Sequence, residues 1–269
     1  MPALPAEFHA FTLLHGLVIL AATAAIAASC YHGHCHRETP REARFRITWA
    51  WFVLATQAIS ITYWAMPSRF DIQVSLPLHV CDLAGIIAGL AMLTMKRPLR
   101  TLLYFWGIAL STQAFITPTL EEGPGSLRFW IFWITHLQIV GSAIYDLVVG
   151  GYRPFRRDYW VGVGITTAYA AMAIVVNFAL DTNYGYLGNR LPGAGTALDY
   201  LPPWPWRLLA MCVTAFVWLT AFYLIWPLAR RFQKPTVGSE RCIRCNHDRK
   251  GLPWGAPCPE CGAEPPRYR

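Results

Sequence analysis

The chain has 269 residues, of which 55% are hydrophobic and 14% charged, with twelve Trp, twelve Tyr and fourteen Phe. Soluble domains carry about a quarter charged residues, so this composition excludes an ordinary soluble domain. The net charge of +8 is concentrated in short clusters between apolar runs, which is a topology signal rather than a nucleic-acid surface.

Seven apolar stretches follow in chain order, near 11–30, 47–66, 76–95, 101–118, 128–149, 159–180 and 207–228. Each is about 20 residues, the length that crosses a bilayer. The first has no Lys or Arg ahead of it and reads as a span, not as a cleaved leader. The fourth is the shortest. The expected fold is an all-α membrane protein: a seven-transmembrane-helix bundle over residues 1–232, then a polar tail over 233–269.

Arg37, Arg41, Arg44 and Arg46 separate stretches one and two, and Lys96, Arg97 and Arg100 separate three and four. Arg153, Arg156 and Arg157 lie between five and six, and Arg230, Arg231 and Lys234 follow seven. An odd span count puts all four clusters on one side. Lys and Arg accumulate in cytoplasmic loops. The expected location is therefore the cell membrane, plasma or inner, with the N-terminus outside and the C-terminus cytoplasmic.

At about 1.5 Å of rise per helical residue, that topology puts His15, His79, Cys81, Asp82, Gln113, His136 and Asn177 at similar depth in the outer half. Intramembrane polar groups face a bundle interior or a wet cavity. The competing account is helix–helix hydrogen bonding, worth about 0.6 kcal/mol per pair.

Cys81 falls near a helix N-terminus, where the dipole favours a thiolate. His79, two residues away, points in nearly the opposite direction, so His136 or His15, from another helix, is the better base. Asp82 shares a helix face with His79 and would orient its imidazole. Gly85 and Gly89 form a small-xxx-small pair that admits a neighbouring helix. Asp146 stands apart, near the inner end of stretch five. His32, His34, Cys35 and His36 in "YHGHCHRE" read as a solvated loop.

The loop 181–206 is rich in Gly, Pro, Tyr and Trp. It reads either as a lid or as an interfacial aromatic belt. Asn183, Tyr184, Trp204 and Trp206 are its candidates for substrate binding, beside His15 and Gln113.

In the tail, Cys242, Cys245, Cys258 and Cys261 have the spacing C-x2-C-x12-C-x2-C. Two such knuckles suit a closed tetrahedral thiolate site for structural zinc, a zinc-ribbon-like module. A tail this short has no sizeable core, so the metal would supply its folding energy. Its basic surface offers contact to protein or to anionic headgroups, and it has no stacking or phosphate-binding pattern for nucleic acid.

The blocks "FTLLHG" with His15, "LPLHVCD" with His79 and Cys81, "WITHLQIVG" with His136, "NYGYL" at 183–187 and "LDYLPPWPW" at 198–206 resemble, in order and spacing, the YwaF-like integral membrane proteins of bacteria. The resemblance covers roughly residues 8–228 and leaves the tail outside it. That family looks related to a eukaryotic transmembrane group for which cysteine-dependent acyl transfer on ether phospholipids is proposed. The resemblance implies Cys81 as nucleophile through a thioester, with a histidine as base and membrane lipids as partners.

The leading expectation is thus a lipid acyltransferase or hydrolase with Cys81, His136, His79 and Asp82 in the catalytic set. Two other classes stay open: a small-molecule transporter or receptor that uses the same cavity for binding only, and a membrane metalloenzyme ligated by His15, His79 and His136.

Overall fold

The structure, a computed structural model, describes residues 6–37, 39–189, 200–232, 242, 245–249 and 257–263. Part of the aromatic loop (190–199) and much of the tail lie outside those residues.

Helix α1 (Leu13–Cys35) begins where the Thr12 side chain accepts the His15 N–H, an N-cap. Helix α2 (Pro40–Ala65) opens with Pro at its first position, where the missing N–H is not needed. It therefore takes Arg41, Arg44 and Arg46 into the helix instead of leaving them in a loop.

Helix α3 (Val80–Thr94) is capped at His79, whose backbone N–H donates to the Asp82 carboxylate at 3.1 Å. It ends at Met95 in the left-handed region, φ 54°. The fourth apolar stretch is broken. It runs as α4 (Arg97–Leu102), a π-helical segment (Leu103–Leu110) and the short α5 (Gln113–Ile116). Then come α6 (Leu127–Val148), α7 (Arg156–Leu180), a single 3-10 turn at Tyr184–Tyr186, and α8 (Trp206–Phe232), with Pro227 inside it.

Among the described residues, four helices are long and apolar enough to cross a membrane: Leu13–Cys35, Leu127–Val148, Arg156–Leu180 and Trp206–Ala229. The expected count of seven is not reached on that criterion, for three physical reasons. Helix α2 is long, but Gln57, Ser60 and several Thr, Trp and Tyr dilute its apolar run. Helix α3 has 15 residues. The fourth stretch is split by its π segment. The long helices leave Leu17, Leu20, Leu209, Phe216 and Phe178 exposed, a surface suited to lipid.

Helix α3 packs against α2, α6 and the π segment. Its small residues make this possible. A Cβ on Gly89 would lie 2.5 Å from Leu54 of α2, and one on Gly85 would lie 2.4 Å from Gln57 Oε1. The small-xxx-small pair is therefore a close-approach seam, as the spacing predicts.

At the end of the bundle facing the tail, buried ion pairs fix the helices. Arg100 bonds the carboxylate of Asp146 with N···O distances of 2.8–3.0 Å. Arg97 holds Asp158 at 2.7 and 3.1 Å. Asp146, the outlier of the sequence, is the anchor for Arg100. The histidines of "YHGHCH" lie in the last turns of α1 and just past it, with the His32 ring against His36 and Phe45.

Candidate functional site

A cavity of about 930 Å³ opens at the other end of the bundle. His79, Cys81 and Asp82 line it from α3, Ser111 and Gln113 from the broken fourth stretch, and His136 from α6. Asn183 and Tyr186 close it from the loop after α7, and Met211, Cys212 and Leu219 of α8 form an apolar wall.

Three local devices place these groups. The first is the cap of α3. Asp82 uses a carboxylate oxygen on the His79 backbone, which fixes where the helix starts and so where Cys81 projects. Gln57 Nε2 donates to the Asp82 carbonyl at 3.1 Å and ties that turn to α2.

The second is the π segment. Its wider turn ends at Ser111, whose N–H donates to the carbonyl of Trp106, five residues back, at 2.8 Å. π turns inside α-helical rods are frequent at functional sites. Here the turn brings the Ser111 Oγ to 3.9 Å from the Cys81 Sγ. Large aromatics hold the segment: Trp106 Nε1 donates to Thr166 of α7, and the Tyr104 hydroxyl to the Phe222 carbonyl of α8.

The third is the loop "NYGY". Asn177 of α7 accepts the Tyr184 N–H at 2.7 Å and donates to the Tyr184 carbonyl at 2.8 Å. Tyr184 is buried and its hydroxyl meets the Ile72 carbonyl and the Leu76 N–H. Gly185 sits at φ 64°, and a Cβ there would lie 2.6 Å from the Tyr169 hydroxyl. Only glycine fits that combination. The turn aims the Gly185 N–H at His79 Nδ1, at 3.4 Å, while the His79 ring packs on Tyr184 and Tyr186.

These contacts give the two cavity histidines opposite character. A carbonyl can only accept, so His136 Nδ1, 2.8 Å from the Phe132 carbonyl, carries the hydrogen. In the neutral ring, Nε2 is then a free lone pair. His79 Nδ1 accepts from Gly185, so its Nε2 carries the hydrogen. One ring offers a base and the other a donor.

His15, Tyr184, Trp204 and Trp206 do not line the cavity. His15 accepts the Phe11 N–H on Nδ1 at 2.9 Å and meets the Phe115 carbonyl from Nε2 at 3.1 Å. It sits with Phe8 and Trp133 in a separate aromatic cluster. Both ring nitrogens are thus committed to backbone, and the trio His15, His79 and His136 forms no metal-holding group among the described residues. Trp204 and Trp206 are exposed, and Tyr184 is a strut under the loop. The Asp82 carboxylate accepts the His79 backbone N–H and so acts on the helix start.

Sequence reasoning missed Ser111, Tyr186, Arg128 and Cys212 as lining residues. Tyr186 could have been found from its place in "NYGYL", next to a glycine in a loop already singled out. Ser111 could not, because nothing in "LYFWGIALS" announces a π turn.

The tail forms a second site. Four cysteine sulfurs lie within 4.8 Å of one another, with Cys242–Cys261 at 3.6 Å and Cys245–Cys258 at 3.4 Å. All four are free thiols. Sulfurs at the corners of a tetrahedron with metal–sulfur bonds of about 2.3 Å would be about 3.8 Å apart, so the set fits a metal ion. The two halves repeat one geometry. Asn246 and Gly262 both adopt φ near 60° (60° and 65°), and their N–H groups donate to the Cys242 and Cys258 carbonyls at 2.7 and 2.8 Å. Burial pushes the Cys245 thiol up. Against its own burial, the N–H groups of Cys261 and Glu260 hold Cys258 below the usual thiol range.

The sequence model of the TMEM164 family matches residues 4–226, so the four-cysteine tail lies outside the match. The membrane-protein resemblance expected from the motif blocks holds at that level, and the match is to this family and not to the YwaF-like proteins specifically. No curated protein and no solved structure matches the chain.

Proposed function

Since the chain belongs to the TMEM164 family and is an integral membrane protein, we propose that it is a cysteine-dependent acyltransferase or hydrolase acting on membrane lipids. In this reading residues 1–232 form a seven-span domain, with the N-terminus outside and the cavity in the outer half of the bilayer. Residues 233–269 form a cytoplasmic zinc ribbon.

One observation carries the reading. Cys81 shares a single cavity with a histidine whose Nε2 is free to accept a proton and another whose Nε2 carries one. A nucleophile, a base and a donor around one space are the parts that acyl transfer needs.

The steps follow from those roles. Cys81 Sγ attacks the carbonyl carbon of a lipid ester as its proton passes to His136 Nε2. The carbonyl oxygen gains charge, and the His79 Nε2–H is the donor on hand to stabilise it. The tetrahedral adduct collapses, the carbon–oxygen bond breaks, and the leaving alkoxide takes the proton from His136. A thioester on Cys81 remains. A second alcohol, or water, then gives its proton to His136 and attacks the thioester, which restores the thiol. Acyl chains have the α8 wall of Met211, Leu219 and Trp218 to lie against.

The test is turnover of phospholipid donors by purified protein in nanodiscs, read as released lyso-lipid. His136→Gln is expected to lower the rate about a hundredfold, the usual range for a lost general base. Saturable lipid binding without turnover, equal in wild type and His136→Gln, would support the receptor reading instead.

A further inference from the structure

The tail does not hang free of the bundle. Cys242, Cys245 and Cys258 are buried in a cluster with Phe155, in the turn that leads into α7. Asn246, the left-handed residue of the first knuckle, donates from Nδ2 to the Gly151 carbonyl at 3.2 Å. Gly151 is at φ 69°, and a Cβ on it would lie 2.4 Å from that Nδ2. The loop and the knuckle are therefore fitted to each other at backbone resolution.

Arg97 also packs on Phe155, its guanidinium stacked on the ring at 4.0 Å, and Cys245 lies within electrostatic reach of that guanidinium. Arg97 also bonds Asp158 twice and the Arg153 carbonyl at 3.2 Å. Arg97 begins α4, which runs straight into the π segment that ends at Ser111. Asp158 caps α7 by accepting the Phe155 N–H at 3.0 Å. One joint thus carries the tail, α7 and the rod that reaches the cavity.

Charge gives this joint a dependence on metal. Four thiolates around a divalent ion leave a net charge of −2, whereas four protonated thiols carry none. The two states therefore differ in their attraction for the Arg97 guanidinium. They differ in order as well, because a tail of this length relies on its metal to fold.

We propose that the tail is a metal-dependent clasp: the loaded four-cysteine knuckles dock on Gly151 and Phe155 beside Arg97, and loss of the ion undocks them and loosens the Arg97–Asp158 joint between α4 and α7. The clasp is independent of the Cys81 chemistry, since it concerns the opposite end of the bundle and is read without any assay of activity.

The experiment is hydrogen–deuterium exchange on the full-length protein in nanodiscs, loaded with Zn²⁺ or stripped by a chelator, with metal content measured alongside. Stripping should speed exchange at residues 151–160 and 97–103 by about tenfold or more, as local opening becomes easier, and leave α1 unchanged. Asn246→Ala should keep its metal and yet exchange faster at the same segments. Gly151→Ala should do so more strongly. Equal exchange at 151–160 and 97–103 in the loaded and stripped protein would overturn the clasp. So would an Asn246→Ala protein as protected as wild type, which would make the contact incidental.

Discussion

Cys81→Ala is expected to remove acyl transfer by at least about a thousandfold, because loss of a covalent nucleophile leaves only binding and positioning to act on the ester. The substitution deletes a single sulfur from a half-buried site on the cavity wall, so folding should survive. The helix cap does not depend on it: the His79 N–H and the Asp82 carboxylate stay in place. Cys81→Ser is the sharper variant. It keeps an oxygen near Ser111 but replaces a thiol by a far less acidic hydroxyl, and should be nearly as inactive. Released lyso-lipid in nanodiscs measures both. A receptor that only binds lipid would be almost indifferent to either change, so the size of the effect separates the two classes.

The second large effect is structural and lies at the opposite end. Asp146→Ala should destabilise the protein by about 3–5 kcal/mol, because removing one partner of a buried ion pair strands the other charge. Arg100 directs its Nε and Nη2 to the Asp146 carboxylate and donates from Nη2 to the Gly150 carbonyl. Its side chain is 16% exposed and that of Asp146 is 3%, so solvent offers little relief. A fall of about 10 °C in the thermal midpoint is expected, read by solubility after heating in detergent. Asp146→Asn keeps an acceptor for Arg100 and should fall less. If Asp146→Ala were as stable as wild type, Arg100 would have another partner to turn to and the joint would not rest on this pair.

Much of this was legible in the sequence, and the reasons differ by element. The apolar runs give the rods, since hydropathy and length are properties of single segments. The four tail cysteines give their site outright, since two CxxC knuckles bring their own turn geometry. Of the seven polar groups expected at one depth, His79, Cys81, Asp82, Gln113 and His136 line one cavity, whereas His15 and Asn177 do not.

Depth alone misled at His15. Its helix position is right, but Phe8, Phe11 and Trp133 surround the ring, and backbone groups satisfy both its nitrogens. Two further features were out of reach. The π segment depends on which carbonyl each N–H selects, a choice made by packing of Tyr104 and Trp106 against α7 and α8 and not by residue type. The docking of Asn246 on Gly151 joins segments 95 residues apart, and neither residue signals it alone.

The most direct measurement of the central claim is peptide mass spectrometry of the purified protein after brief incubation with a phospholipid donor, with hydroxylamine treatment as a control for thioesters. An acyl mass is expected on the peptide that contains Cys81, removed by hydroxylamine, absent from Cys81→Ala and slower to form in His136→Gln. Continued turnover by Cys81→Ala, with no acyl group on Cys81 in the wild type, would contradict it.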